Sequence, residues 1–333
     1  MREKKRVVLW LCLAAALLLA SILTAAVLLC GLREQPVGGV TAQPALPRPA
    51  ASTSEPTPEQ PPEPTAEPAP EPTPDPAAQE ALRAACLETP VKRDEAESRA
   101  RLEELGQYDS RYLYVLENID SYPEEMLFEL AYNPELLEFA LDFMRDFVRL
   151  PVFSESERNG ETPLLMQYDP RWGYQIYGSG ELAFTGCGPT CLSMAALHFT
   201  GNAEATPDAV ARWALENDYY VSGSGTKWLM FSEGAADWGL SSRELPLWKG
   251  SVDAALDAGQ WVILCMDEGD FTLFGHFIIL CGRETDGYRV LDPFSRARSG
   301  EIWSYERLES QIANLWAIGE AEEIAEDTAE ITE

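Results

Sequence analysis

The sequence predicts an α+β fold, in which helices precede an antiparallel sheet along the chain. Apolar residues recur at helical spacing within residues 80–150. Residues 206–218 and 225–239 are also predicted to be helices. Between residues 261 and 319, five short apolar runs bounded by turn residues are typical of strands. A glycine-flanked cysteine joined to an apolar helix, at residues 185–197, stands between the two parts. Because helices and strands are segregated rather than alternating, we expect helices packed on an antiparallel sheet.

The first segment of the 333-residue sequence is predicted to span a membrane once. Four basic residues precede the uncharged residues 7–32. At ~1.5 Å per residue this run is long enough to cross a ~30 Å hydrocarbon core, and basic residues keep its N-terminal end in the cytoplasm. Residues 1–32 are therefore predicted to be a signal anchor in the cell membrane, with the rest of the chain extracytoplasmic. The alternative is a cleaved signal peptide, with a small-residue site at Thr24-Ala25-Ala26, and a secreted protein.

Composition predicts three further segments. Residues 33–79 contain fourteen of the 24 prolines, mixed with Glu, Thr and Ala, and are predicted to be a disordered linker. Residues 80–158 are predicted to be a helical extension. Within it, Asn133-Pro134-Glu135 is a helix start, with Asn as the cap, Pro in the first helical position and an acid in the first turn. Residues 321–333 are acidic, and we expect a disordered tail.

The charge and the cysteine pattern argue against some classes of function. The net charge is −30 and the pI is about 4.3. Nucleic acid is not an expected partner, because phosphate binding needs clustered Lys and Arg. The seven cysteines form no paired CxxC motifs and there are only two histidines. We therefore expect neither structural zinc nor another cofactor.

The central motif is Gly186-Cys187-Gly188-Pro189, which opens an apolar run with helical spacing. Pro189 fits the first turn of a helix because its φ is fixed and it lacks an N–H, and the glycines permit a tight turn. Cys187 is therefore predicted at a helix N-terminus, where free N–H groups and the helix dipole favour negative charge. A thiol in that place is a good nucleophile. The alternative is a small buried cysteine on a glycine-rich turn.

One of the two histidines is suitably placed to assist this cysteine. His198 lies eleven residues beyond Cys187 on the same predicted helix, about 16 Å away and too far to accept a proton. His276 stands near the start of a predicted strand, and Asp292 ends the next one. A hairpin of these two strands would bring His276 and Asp292 side by side. A nucleophile, a base and a residue that orients the base would then be present.

Three segments in this order resemble the C39-like cysteine peptidase family, within the papain-like superfamily. They are Gln167-Tyr168-Asp169-Pro170-Arg171-Trp172-Gly173-Tyr174, then Gly186-Cys187-Gly188-Pro189-Thr190-Cys191, then Gly275-His276-Phe277 with Asp292-Pro293. The resemblance covers about residues 160–320 and suggests a bacterial, membrane-anchored member. It implies a peptidase domain at residues 159–320 with the papain-like fold, in which the nucleophile helix packs on an antiparallel sheet.

The resemblance also implies roles for individual residues. It implies Cys187 as the nucleophile, His276 as the general base and Asp292 as the residue that orients the imidazole. It suggests Gln167, which lies 20 residues before Cys187, as a side-chain donor to the oxyanion.

Four further positions are predicted to contact substrate. Trp172 and Tyr174 follow Gln167 on a loop, where they either bind substrate in a cleft or cover an edge of the core. Gly186 and Gly275, which precede the cysteine and the histidine, complete the predicted contacts.

The predicted function is hydrolysis of a peptide or amide bond through a thioester acyl-enzyme, without a cofactor. The expected partners are a peptide or protein substrate and the membrane, and we expect a monomer. Two alternatives stay open at this point. The same three residues could transfer the acyl group to an amine, as in a transpeptidase, or the domain could be a cell-surface binding module without activity.

Overall fold

The computed structural model describes residues 75–143, 149–160 and 162–321. The predicted membrane segment, nearly all of the proline-rich linker and the acidic tail beyond residue 321 lie outside these ranges. The described residues belong to one compact unit, Pro70–Glu333. Within them, no helix combines the length and the apolar character that crossing a membrane would require.

The first part of the described chain is helical, as the sequence predicts. Its helices are α1 (Pro76–Cys86), α2 (Glu95–Leu105), α3 (Arg111–Glu117), α4 (Met126–Tyr132), α5 (Leu137–Phe143) and α6 (Glu155–Asn159). The first helix begins inside the segment predicted as linker, because Asp75 accepts a hydrogen bond from the Ala77 N–H and Pro76 takes the first helical position. Leu130 and Phe139 of this part share one apolar cluster with Met166 and Phe294 from later in the chain. The helical extension therefore packs directly on the sheet-containing part.

The second part contains the remaining helices and all the strands of the described residues. In chain order they are β1 (Ile176–Tyr177), β2 (Gly180–Glu181), α7 (Leu182–Thr185), α8 (Cys187–Thr200), α9 (Pro207–Glu216), β3 (Tyr220–Val221), β4 (Gly225–Thr226), α10 (Leu229–Ser232), β5 (Leu240–Glu244), α11 (Lys249–Asp257), β6 (Trp261–Met266), β7 (His276–Glu284), β8 (Gly287–Leu291), α12 (Arg296–Ser299), β9 (Ile302–Trp303), α13 (Tyr305–Leu308) and β10 (Ile312–Glu320).

The main sheet has six strands in the order β5-β10-β6-β7-β8-β9, and every neighbouring pair is antiparallel. Successive residues of β6 point to opposite faces, so Ile263 joins the cluster that contains α8, whereas Val262 and Leu264 join the cluster under α11. Both faces of the central strands are buried. This explains why the predicted strands are continuous apolar runs instead of alternating ones.

Two local predictions need correction. Residues 225–239 are predicted as one helix, but Gly225 has φ +82° and Thr226 pairs with Tyr220, so this stretch starts as a strand. Only the short helix α10 and a 3-10 turn follow. Strand β5 is missing from the sequence prediction because it is a mainly polar edge strand in which only Leu240 is buried.

Candidate active site

Cys187 is the first residue of α8, as the sequence predicts, and Pro189 lies in its first turn. The flanking glycines are required by close packing. A Cβ on Gly186 would lie 2.5 Å from the Leu182 carbonyl oxygen, and one on Gly188 would lie 2.7 Å from the Thr226 hydroxyl. The φ of Gly186 is an ordinary −92°, so the tight turn expected from the sequence is not the reason for this glycine.

His276 is the first residue of β7, and Asp292 directly follows β8, its neighbour in the sheet. The His276 Nε2 and Asp292 Oδ1 atoms lie 2.7 Å apart. The same carboxylate oxygen accepts a hydrogen bond from the Phe294 N–H at 2.8 Å, and the Asp292 side chain is fully buried. Because Nε2 faces Asp292, the other ring nitrogen, Nδ1, is the one left to exchange a proton with Cys187.

The charge state of His276 is set by opposing effects. Burial alone lowers the pKa of the imidazole. The negative charge of Asp292 and its hydrogen bond outweigh burial, and a hydrogen bond with the Cys187 side chain acts in the same direction. The net result is a pKa above the ordinary value of 6.5. The protonated imidazolium form of His276 is therefore favoured near neutral pH.

The nucleophile helix is tied to the histidine strand. The buried Cys191 thiol, one turn beyond Cys187, donates to the Phe277 carbonyl oxygen at 3.3 Å. This contact connects α8 to the residue next to His276. Cys191 belongs to the buried cluster against which Cys187 packs, and all five cysteines of the described residues are free.

Gln167 lies at the same site as Cys187, although the two residues are 20 positions apart in the sequence. Its side-chain Nε2 donates to the Ala183 carbonyl oxygen at 2.8 Å, and its backbone N–H donates to the Pro293 carbonyl oxygen at 2.8 Å. These two bonds orient the amide and hold it beside the Asp292 loop. One N–H of the amide remains for a ligand, since an amide nitrogen carries two hydrogens.

Cys187, His276 and Gln167 open onto one cleft of about 440 Å³. Gly275, with φ +127°, also lines it, and Phe274 beside it is 88% exposed. A volume of this size accommodates a few amino-acid side chains. A thiol at a helix N-terminus, an imidazole held by a buried carboxylate, and a free amide N–H form an arrangement suited to acyl transfer.

Comparison with solved structures gives a likeness to a peptidase domain. No protein-family model matches the sequence, and no curated protein matches it. The chain is similar to the crystal structure of the peptidase domain of Streptococcus ComA, described as a bifunctional ABC transporter involved in a quorum-sensing pathway. The identity is 19%, the match covers 44% of this chain and 96% of that domain, and the TM-score is 0.30. No functional conclusion follows from a likeness at this level.

Three of the four predicted substrate contacts do not line the cleft. Trp172 is 1% exposed, and its indole N–H donates to the Met166 carbonyl oxygen at 2.8 Å. The Tyr174 hydroxyl donates to the Phe139 carbonyl oxygen, and its ring stacks on Phe139 with the centroids 4.3 Å apart. These aromatics cover the core, which is the alternative that the sequence leaves open. Gly186 does not line the cleft, so of the four predicted positions only Gly275 does.

Sequence reasoning missed one wall of the cleft, which the helical extension supplies. Seven of its residues line the cleft together with Cys187: Val91, Lys92, Arg93, Ser98, Phe128, Glu129 and Tyr132. A signal was present in α4, where Phe128, Glu129 and Tyr132 lie on one face at spacings of three and four residues. An acid between two aromatics on a helix face is unusual for a purely packing surface.

The extension also holds the loops on both sides of the site. In the loop that precedes His276 in the sequence, the Phe271 carbonyl oxygen accepts a hydrogen bond from the Tyr132 hydroxyl. After Asp292, the Glu135 carboxylate accepts four hydrogen bonds, from the Tyr168 and Ser295 hydroxyls and the backbone N–H groups of residues 296 and 297. Glu135 thereby caps α12 and anchors the segment that carries Asp292.

Glu135→Ala is expected to lower the free energy of unfolding by about 1–3 kcal/mol, because four donors lose their acceptor, three of them on buried or half-buried residues. Turnover should fall as well, since the Asp292 loop is less constrained. Glu138→Ala is the control, because Glu138 is 70% exposed and forms a surface ion pair with Arg111, and such pairs contribute little. Urea unfolding of the two variants measures the difference. Equal stability would show that the Glu135 bonds do not hold the loop.

Proposed function

We propose that the protein is a cysteine peptidase of the C39-like kind with a papain-like catalytic domain, in which Cys187, His276 and Asp292 act together. The observation that carries the proposal is the 2.7 Å contact between His276 Nε2 and Asp292 Oδ1, in a site where Cys187 begins α8 and opens onto the same cleft as His276. The mixed helical and antiparallel sheet architecture is compatible with this assignment.

In the proposed reaction, His276 Nδ1 accepts the Cys187 proton and the thiolate attacks the carbonyl carbon of a peptide or amide bond. The resulting imidazolium then protonates the leaving amine, and a thioester links Cys187 to the acyl part of the substrate. Water, activated by the neutral imidazole, hydrolyses the thioester and restores the thiol. Asp292 keeps the imidazole oriented through Nε2 and stabilises its positive charge during the reaction.

The oxyanion would be stabilised by two donors. One is the backbone N–H of Cys187, which has no partner within α8 because it lies in the first turn. The other is the free N–H of the Gln167 amide, whose orientation is held by the bond to Ala183. Donors that are already oriented cost no reorganisation as charge develops, which is why such sites accelerate acyl transfer.

The location and the partners form part of the proposal. The uncharged run at residues 7–32 follows four basic residues, which favours a membrane anchor with the peptidase on the outer side. The substrate would be a peptide or protein outside the cytoplasm, reached from a proline-rich linker. The protein is proposed to act as a monomer, without cofactor and without nucleic acid.

The test is alkylation of the purified protein by iodoacetamide across pH, with each cysteine followed by mass spectrometry. Cys265 and Cys281 are internal references, since burial raises the pKa of each thiol to about 11. At pH 6–7 we expect Cys187 to react at least about tenfold faster than either reference, because only a thiolate is nucleophilic.

Two variants complete the experiment. His276→Ala should slow the labelling of Cys187 and leave the references unchanged, and Cys187→Ser should remove the fast phase. Labelling of Cys187 at the rate of an ordinary thiol, with no response to His276→Ala, would contradict the proposed function and favour a binding module.

A further inference from the structure

Glu129 is the acidic residue among those that line the cleft. It lies on α4 of the helical extension, across from Cys187 and His276. Phe128, Tyr132 and Leu273 are among the apolar and aromatic residues that line the same cleft. Within the part of the chain that the structure describes, its carboxylate takes part in no hydrogen bond or ion pair. A carboxylate so placed loses hydration without gaining a partner.

The charges near Glu129 do not neutralise it. Burial raises the pKa of its carboxyl to about 7, and the negative charge of Glu125 acts in the same direction. Lys92 and Arg93 line the same cleft. The Arg93 guanidinium donates a hydrogen bond to the Ala131 carbonyl oxygen, and the charges that act on its pKa are those of α2 and of Glu88. Among the described residues, no cation forms an ion pair with Glu129 or lowers the pKa of its carboxyl.

A glutamine or leucine would fit this wall at a lower energetic cost, since neither carries a charge out of water. The carboxylate becomes favourable when a ligand brings a cation into the cleft, because a charge-assisted hydrogen bond in an apolar environment is about twice as strong as a neutral one. A site of this kind also discriminates between ligands, since a neutral ligand leaves the half-buried carboxylate of Glu129 unpaired.

We infer that Glu129 is a specificity-determining residue, which binds a positively charged group of the substrate close to the bond that Cys187 attacks. The group is an amine or guanidinium, carried either by a Lys or Arg side chain or by a free N-terminus. The inference rests on the proposed function, because the substrate is taken to be a peptide. Acidic peptides are expected to be poor substrates.

The experiment uses peptidyl chloromethyl ketones, in which the Cys187 thiolate displaces chloride and forms a stable thioether. One Lys or one norleucine is moved through successive positions of an alanine peptide, and a Glu series is made in the same way. Each peptide is prepared with a free and with an acetylated N-terminus, which distinguishes the side chain from the terminal amine as the source of charge. The measured quantity is the second-order rate of Cys187 alkylation in the full-length protein.

We expect a preference at one position of the Lys, or for the free over the acetylated N-terminus. There the cationic peptide should alkylate Cys187 at least about tenfold faster than the neutral one. Glu129→Gln should bring this ratio close to one and leave the rate with iodoacetamide unchanged. Glu125→Gln is the matched control, because Glu125 is exposed at the start of the same helix and does not line the cleft. This variant should retain the preference.

Three results would overturn the inference and leave the peptidase intact: equal rates for cationic and neutral peptides, a preference that survives Glu129→Gln, or faster reaction of the Glu series. Binding of the same peptides, without the ketone, to Cys187→Ala protein gives a second readout that needs no chemistry. Another outcome is that Cys187 proves unreactive while the Cys187→Ala protein still binds cationic peptides more tightly than neutral ones through Glu129. In that case the proposed function fails and the inference about Glu129 stands.

Discussion

Cys187→Ala is expected to reduce peptide hydrolysis by about 10⁴–10⁶-fold, to the background rate, because the variant cannot form a thioester. The substrate for this measurement is the fluorogenic peptide that the unmodified protein cleaves best, at saturating concentration. The fold should be unaffected, since Cys187 is only half-buried and alanine has a high helix propensity.

Cys281→Ser is the control for this variant, because Cys281 is a second half-buried thiol, on β7. It should retain nearly full turnover and the same circular dichroism spectrum. Residual turnover of Cys187→Ala above a few per cent would mean that another group is the nucleophile. Because His276 acts on the same bond, combining His276→Ala with Cys187→Ala should cause little further loss, as is usual for residues that work as a unit.

Asp292→Asn is expected to lower turnover by about 10²–10⁴-fold and to change its pH dependence. The charge of Asp292 raises the pKa of His276, and an amide carries no charge, so the histidine pKa should fall. The imidazolium is the protonated form and is lost as pH rises through its pKa. The alkaline limb of the activity profile should therefore move to lower pH in the variant.

The control for the pH profile is Asp286→Asn, in the turn between β7 and β8. This residue is exposed, and its replacement should leave both turnover and the alkaline limb unchanged. Thermal unfolding of each variant at one pH separates a loss of structure from a loss of function. An alkaline limb that stays in place in folded Asp292→Asn protein would show that Asp292 does not control the charge of His276.

Local patterns in the sequence were sufficient for several features of this protein. The helix start at Cys187, the strand Trp261–Met266 and the hairpin that carries His276 and Asp292 are each encoded within a few residues, through glycine and proline positions and runs of apolar side chains. With only two histidines in the chain, the pairing of Cys187 with His276 could also be reasoned from helix geometry.

Other features depend on contacts between residues that are far apart in sequence, and only the tertiary structure decided them. The sequence allows Trp172 to line either a cleft or the core. The hydrogen bond from its indole N–H to the Met166 carbonyl oxygen places it in the core. The polar strand β5 belongs to the sheet because it pairs with β10, which is distant from it in sequence. Glu129 and Cys187 are 58 residues apart, and the pattern on one face of α4 does not state which distant part of the chain that face meets. Secondary structure follows local propensity and periodicity, whereas the position of a side chain relative to a distant one follows from how whole elements pack.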